Sequence, residues 1–136
     1  MKKEKFELMD HISDIKFKIY GTTLNEVFEN AVLAFAFYVG SGEKINSKKG
    51  KVIEVKGNDN ESLLYNFFDE LIYLLEAENF LATKASVLLR GNNLKAELFG
   101  DEASNYDLNL VKAATYSEMK IEKREDGWEA QIVLDV

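Results

Sequence analysis

Cysteine and proline are absent from the 136 residues, and histidine occurs once. Without cysteine there is no disulfide, no thiolate nucleophile and no cysteine-ligated zinc. A single histidine excludes a multi-histidine metal centre. It also leaves any serine nucleophile dependent on His11, and no Gly-x-Ser-x-Gly turn exists to present one. Glycines are few and isolated; GKVIEVKG at 50–57 fits neither a Walker nor a dinucleotide phosphate loop. Apolar runs stop well short of the ~20 residues that cross a bilayer. The opening segment MKKEKFELMDHISD puts acids where a signal peptide has its apolar centre, so the expected location is cytoplasmic and away from the membrane. Basic charge is also short. Lys and Arg number 17 against 24 Asp and Glu, a net charge of −7, and KKGK at 48–51 is the only short basic cluster. Proteins that neutralise phosphates normally show a basic patch, so tight direct RNA or DNA binding is disfavoured, while protein partners and cations remain open.

What is present is enough to fold. An apolar content of 46% with 12% aromatics excludes a disordered chain, and the length suits one domain over 1–136. Residues 5–9 read as a short strand. Ile15, Phe17 and Ile19 alternate with Lys16, Lys18 and Tyr20 in a half-buried strand that ends at Gly21. Thr23 and Glu26 have capping-box spacing ahead of Leu24, Val27, Phe28, Ala31, Ala34, Phe35 and Tyr38, an apolar helical stripe stopped by Gly40. A polar loop over 41–50 precedes a strand at Val52–Val55. Asp59 or Asn60 then caps a second helix, with Leu63, Leu64, Phe67, Phe68, Leu71 and Ile72 on its apolar face. Phe28, Phe35, Phe67 and Phe68 read as core, and Asp69 and Glu70 as the wet side.

From about Phe80 the period changes to two. Val87 and Leu89 lead to a turn at Gly91-Asn92-Asn93, and Leu94, Ala96 and Leu98 return. Residues 100–109 read as a second polar loop. Met119 and Ile121 mark a strand, Asp126-Gly127 a hairpin turn, and Trp128 to Val136 alternate to the end. The expected fold is α+β: two helices packed on one face of a mostly antiparallel or mixed β-sheet.

With nucleophiles and phosphate loops excluded, the remaining chemistry is carboxylate. Asp10, His11 and Asp14 fall within five positions between two apolar strands. By strand parity Asp14 faces away from Ile15, Phe17 and Ile19, and Asp135 faces away from Ile132, Leu134 and Val136. If neighbouring strands bring them together, two aspartates and the carboxylate at Val136 form a cluster of hard oxygen donors suited to Ca²⁺ or Mg²⁺. The plainer readings compete: a solvated acidic turn at DHISD, a frayed last strand, and a hydrogen-bonded structural role for His11. Lys112, in VKAATY, reads as a strand-edge lysine or as a phosphate or partner contact. A small metal-dependent hydrolase built on Asp10, His11 and Asp14 is a further alternative.

These segments together carry a resemblance. The sequence resembles the archease family over nearly its whole length. DHISDIKFKIYG at 10–21 is similar to the family's DHTAD-I-x-x-x-x-YG, and TLNEVFENAVLAF at 23–35 to its first helix. SLLYNFFDELIYLL at 62–75 looks like its LL-x-x-W-L-N-E-L-L helix, and LKAELFGDE at 94–102 like its return strand and Gly-Glu turn. VKAATY matches VKAVTYH, and the closing VLDV matches V-x-D-I. Departures are Ile12 and Ser13 for Thr and Ala, Phe67-Phe68-Asp69 for Trp-Leu-Asn, and Ser117 in place of the usual His.

The resemblance implies an archease-type sandwich with an inserted strand–helix–strand–strand module. It implies a divalent cation, described as calcium, held by residues matching Asp14, Asp135 and Val136. It also implies a functionally important lysine at Lys112, with Asp10 and His11 as further candidate partner-binding residues. The implied role is that of a protein without turnover of its own. It would act with an RtcB-type tRNA-splicing RNA ligase, promoting guanylylation and repeated turnover and broadening nucleotide use. The alternative is a chaperone-like modulator of a tRNA methyltransferase.

Overall fold

The computed structural model describes residues 4–10 and 12–136; His11 therefore lies outside the described residues. Among these residues the strands form two sheets. Strands β1 (Phe6–Asp10), β2 (Asp14–Gly21), β6 (Ala113–Arg124) and β7 (Gly127–Asp135) make a four-stranded sheet in the order β1-β2-β7-β6. Strands β3 (Lys49–Lys56), β4 (Phe80–Arg90) and β5 (Asn93–Glu102) make a three-stranded sheet in the order β3-β5-β4. Every described pairing is antiparallel. Helices α1 (Leu24–Val39) and α2 (Asn60–Ala77) each touch both sheets, so the expected helix-on-sheet packing is present on two sheets at once. No described helix is long and apolar enough to cross a membrane.

The helices start where their caps dictate. The Glu26 N–H donates to Thr23 Oγ1 at 3.2 Å, and the Glu26 carboxylate takes the Thr22 N–H at 2.7 Å. Of the two candidate caps for α2, Asp59 is the one used. Its Oδ1 accepts from the Ser62 N–H at 2.7 Å, while Ser62 Oγ accepts from the Asp59 N–H at 3.1 Å. The apolar faces then meet in one core. Phe17 of β2 lies 5.7 Å from Phe68 and 6.3 Å from Tyr38, joining the four-stranded sheet to both helices. Phe28 and Phe67 meet edge to face at 5.4 Å between the helices.

Strand β4 lies at an edge, and α1 closes it. Asn25 Nδ2 donates to the Val87 carbonyl and the Val87 N–H donates to Glu29 Oε2, both at 2.9 Å. The ladder edge is thereby closed at Val87.

Three segments differ from the sequence expectation. Strand β3 begins at Lys49, inside the expected loop, where Lys49 pairs with Glu102 at 2.7 Å. Strand β5 runs on to Glu102 because Gly100 lets the β4 backbone come close: a Cβ there would stand 2.0 Å from the Leu81 carbonyl oxygen. Strand β6 begins at Ala113 rather than near Met119. Its register shifts between Thr115 and Lys120, and Glu118 has φ of 55°, which erases the two-residue period over those positions.

Candidate functional site

The site is built by pairing the second strand with the last. In the register of β2 and β7, Asp14 stands directly opposite Asp135. The Val136 N–H donates to the Ser13 carbonyl at 3.1 Å, which makes Ser13 and Val136 the hydrogen-bonded pair and Asp14 and Asp135 the closer, non-hydrogen-bonded one. In such a pair the Cβ atoms are only about 5 Å apart on one face. That face is opposite the core, since the next pair, Ile15 and Leu134, is buried. Val136 is half-buried and packs against the core, so the last strand is paired to its end.

Lys112 arrives from the other side. Its N–H donates to the Asp135 carbonyl at 2.8 Å, immediately before the edge strand β6, and its side chain is exposed. Asp10 does not join the pair. It stands opposite Ile15 and so has the parity of the core-facing side, where its charge bears on Tyr38. Burial, and after it the Asp10 carboxylate, raises the Tyr38 hydroxyl above the ordinary tyrosine range. The structure therefore sets Asp14 opposite Asp135, with the backbones of Val136 and Lys112 hydrogen-bonded beside them, and puts Asp10 on the reverse side of the same sheet end.

The electrostatics are unbalanced. Among the described residues, neither Asp14 nor Asp135 has an ion-pair partner. Lys16, the next side chain on their face, is taken by Glu118 Oε1 at 2.8 Å. Like charges directly opposite each other destabilise a sheet, and a bound hard cation would offset that. No group of three or more Asp, Glu, His or Cys side chains placed to hold a metal occurs among the described residues. A cation seat here therefore rests on the two aspartates, with the Val136 main chain beside them. Their donors are hard oxygens, and the chemistry fits Ca²⁺ or Mg²⁺.

Two features of this end were not visible in the sequence pattern. Ile12 and Leu110, each two residues from a site residue, are 104% and 80% exposed. Exposure of a lone aliphatic in a loop has no periodic signature. Ser117 lies in the β6 irregularity, beside Tyr116, whose ring stacks on Tyr65 at 4.3 Å. A cavity of about 770 Å³ lies at the opposite end of the four-stranded sheet, lined by Tyr20, Glu26, Glu29, Trp128 and Glu129 among others. Three of its acids are engaged in structure. Glu26 and Glu29 accept the backbone bonds described above, and Glu129 faces Arg124 at 3.6 Å.

The chain and its fold have relatives. The Archease protein family (MTH1598/TM1083) matches residues 6–136. The chain belongs to that family. It is 37% identical to the protein archease of Methanosarcina barkeri, with 98% of this chain and 97% of that one covered. It is 36% identical to the protein archease of Pyrococcus abyssi, covering 98% and 99%. The solution structure of Methanobacterium thermoautotrophicum protein 1598 superposes with a TM-score of 0.78 at 27% identity, covering 97% of this chain and 99% of that one. The crystal structure of a Thermotoga maritima archease, described as a possible chaperone, has the same fold at a TM-score of 0.69 and 20% identity, covering 100% and 98%.

Proposed function

We propose that this archease-family protein is an accessory factor that binds a divalent cation and activates an RtcB-type tRNA-splicing RNA ligase, with no turnover of its own. It would promote guanylylation and repeated turnover of the ligase and broaden its nucleotide use, in the cytoplasm. The observation that carries this reading is the direct opposition of Asp14 and Asp135, with Val136 tied to Ser13 beside them. Asp14, Asp135 and the Val136 carboxylate would hold the ion, calcium first and magnesium second. The ion would supply a compact positive centre for phosphate or carboxylate oxygens. The chain's own contribution is to hold two acids in fixed register, to tie the Lys112 backbone to Asp135, and to carry exposed Ile12 and Leu110 within two residues of Asp14 and Lys112. An acidic docking end also suits a partner whose RNA-binding surface is basic, and complementary charge speeds encounter and sets orientation.

The Thermotoga relative, a possible chaperone, favours a second reading: a chaperone-like modulator of a tRNA methyltransferase or another tRNA-processing enzyme. One pair of measurements tests both. Calorimetric titration with Ca²⁺ and Mg²⁺ should show one site, weakened at least roughly 100-fold in Asp14→Ala. Guanylylation and multiple-turnover ligation by the ligase should rise with the unaltered protein and not with Asp14→Ala. Undiminished activation by the variant would remove the cation from the mechanism. No gain in ligation, together with protection of a methyltransferase from aggregation, would favour the second reading.

A further inference from the structure

We infer that the outer face of the three-stranded sheet is a weak, salt-sensitive contact for a single-stranded polynucleotide. This inference does not depend on the cation seat. Directly paired residues share a face of a sheet, so the register of β3, β5 and β4 defines what that face carries. The row Lys56–Asn93–Arg90 lies at one end, and Glu54–Lys95–Leu88 comes next. Val52–Glu97–Ser86 follows, and Phe99–Lys84 lies toward the other end. All of these except Phe99 are exposed.

Four cations therefore meet two carboxylates on one face of a protein whose net charge is −7. In sequence these cations are scattered among acids; strand alternation collects them. None of Lys56, Lys84, Arg90 and Lys95 has an ion-pair partner among the described residues. At the Lys56–Arg90 end the surface dips into a depression of about 420 Å³, lined also by Glu54, Leu88 and Lys95.

Charge alone would admit any polyanion. The apolar content of the face selects the class. Val52 and Leu88 are 62% and 51% exposed, and the Phe99 ring lies half-buried with the Lys84 ammonium 5.4 Å from its centre. Cations alternating with flat or aliphatic surface match a strand whose phosphates face charge and whose bases face apolar side chains, the arrangement by which sheet faces take single-stranded nucleic acid. Rows on a strand repeat about every 7 Å, on the scale of the phosphate spacing in an extended single strand. The small excess of cations and the overall acidity keep the contact weak.

The test is fluorescence anisotropy of a labelled oligouridine RNA in chelator, so that no cation seat takes part. Binding is expected at about 50 mM salt and should weaken roughly tenfold by about 200 mM. Lys56→Ser with Arg90→Ser should weaken it several-fold and flatten the salt dependence. Lys123→Ser, on the other sheet, should leave it unchanged. Glu54→Gln with Glu97→Gln should tighten it several-fold, a gain that misfolding cannot produce. Absence of binding at low salt would overturn the inference, as would equal losses from Lys123→Ser. Equal competition by a polyglutamate peptide would also overturn it, and would assign the face to an acidic protein.

Discussion

The two sheets share a core but come from different parts of the chain. The three-stranded sheet is contiguous: β3, α2, β4 and β5 all fall within residues 49–102. The four-stranded sheet takes β1 and β2 from residues 6–21 and β6 and β7 from residues 113–135. One is assembled from neighbours, whereas the other pays the larger loop-closure entropy of pairing distant segments. Their charges differ in the same way. The non-local sheet ends in an unpaired acidic couple, and the local sheet turns an unpaired basic face outward. The candidate cation seat lies on the β2–β7 seam, where it exists only once distant parts of the chain have met.

The largest expected effect tests whether the two sheets are one cooperative unit. Gly100→Ala drives a methyl group into the Leu81 carbonyl between β4 and β5, and should cost more than about 3 kcal/mol. With a shared core, the loss appears as one lowered thermal transition in far-ultraviolet circular dichroism. Two separate transitions would divide the molecule at the sheets. Phe17→Ala removes a fully buried ring that touches both helices, and should cost about 3–5 kcal/mol in denaturant unfolding. A loss near 1 kcal/mol would mean that the four-stranded sheet barely uses the common core.

A smaller effect probes the seam itself. In chelator, Asp14→Asn removes a facing like-charge pair and should raise stability by about 0.2–1 kcal/mol. In saturating calcium the same variant should be less stable than its parent, because ligand-linked stabilisation is lost. The same sign in both conditions would argue against a seat there.

The smallest effect belongs to α2, which packs on both sheets. The Glu70 carboxyl is held above the ordinary carboxylate range by burial, then by Glu78 and Asp69. A raised value in the folded state means that ionisation costs stability at neutral pH, and that the cost disappears as pH falls below the carboxylate range. Glu70→Gln should therefore gain stability at neutral pH, by at most about 0.5 kcal/mol given its contact with water, and gain nothing in acid. Melting curves across that range read the difference.

Much of this architecture is legible from period and caps. Ile15, Phe17 and Ile19 announce β2 by alternation, and Thr23 with Glu26 marks the start of α1. What escapes is set by non-local contact. Gly100 extends β5 through a close approach to Leu81, which no local window contains. The φ of Glu118 breaks the period of β6 and hides its first half. The division into two sheets depends on which edges meet, and α1 settles one of them through Asn25 and Glu29 at Val87. At the candidate site, parity predicts the outward faces of Asp14 and Asp135, and the register places them opposite each other. The reversed facing of Asp10 follows from its pairing with Ile15 and is not visible in the crowding of acids along the chain. The basic face escapes for a related reason: net charge is a scalar, and strand parity sorts it in space.

The position of β7 has a consequence for synthesis. It is the last of the described strands yet lies between β2 and β6 in its sheet. As the polypeptide leaves the ribosome, the first hairpin emerges early and must keep one flank unsatisfied until β7 has emerged, while residues 49–102 can already close upon themselves. A nascent chain halted before β7 would carry a finished local module and a hairpin with an open, adhesive side, and would be recognisable to quality control by that flank.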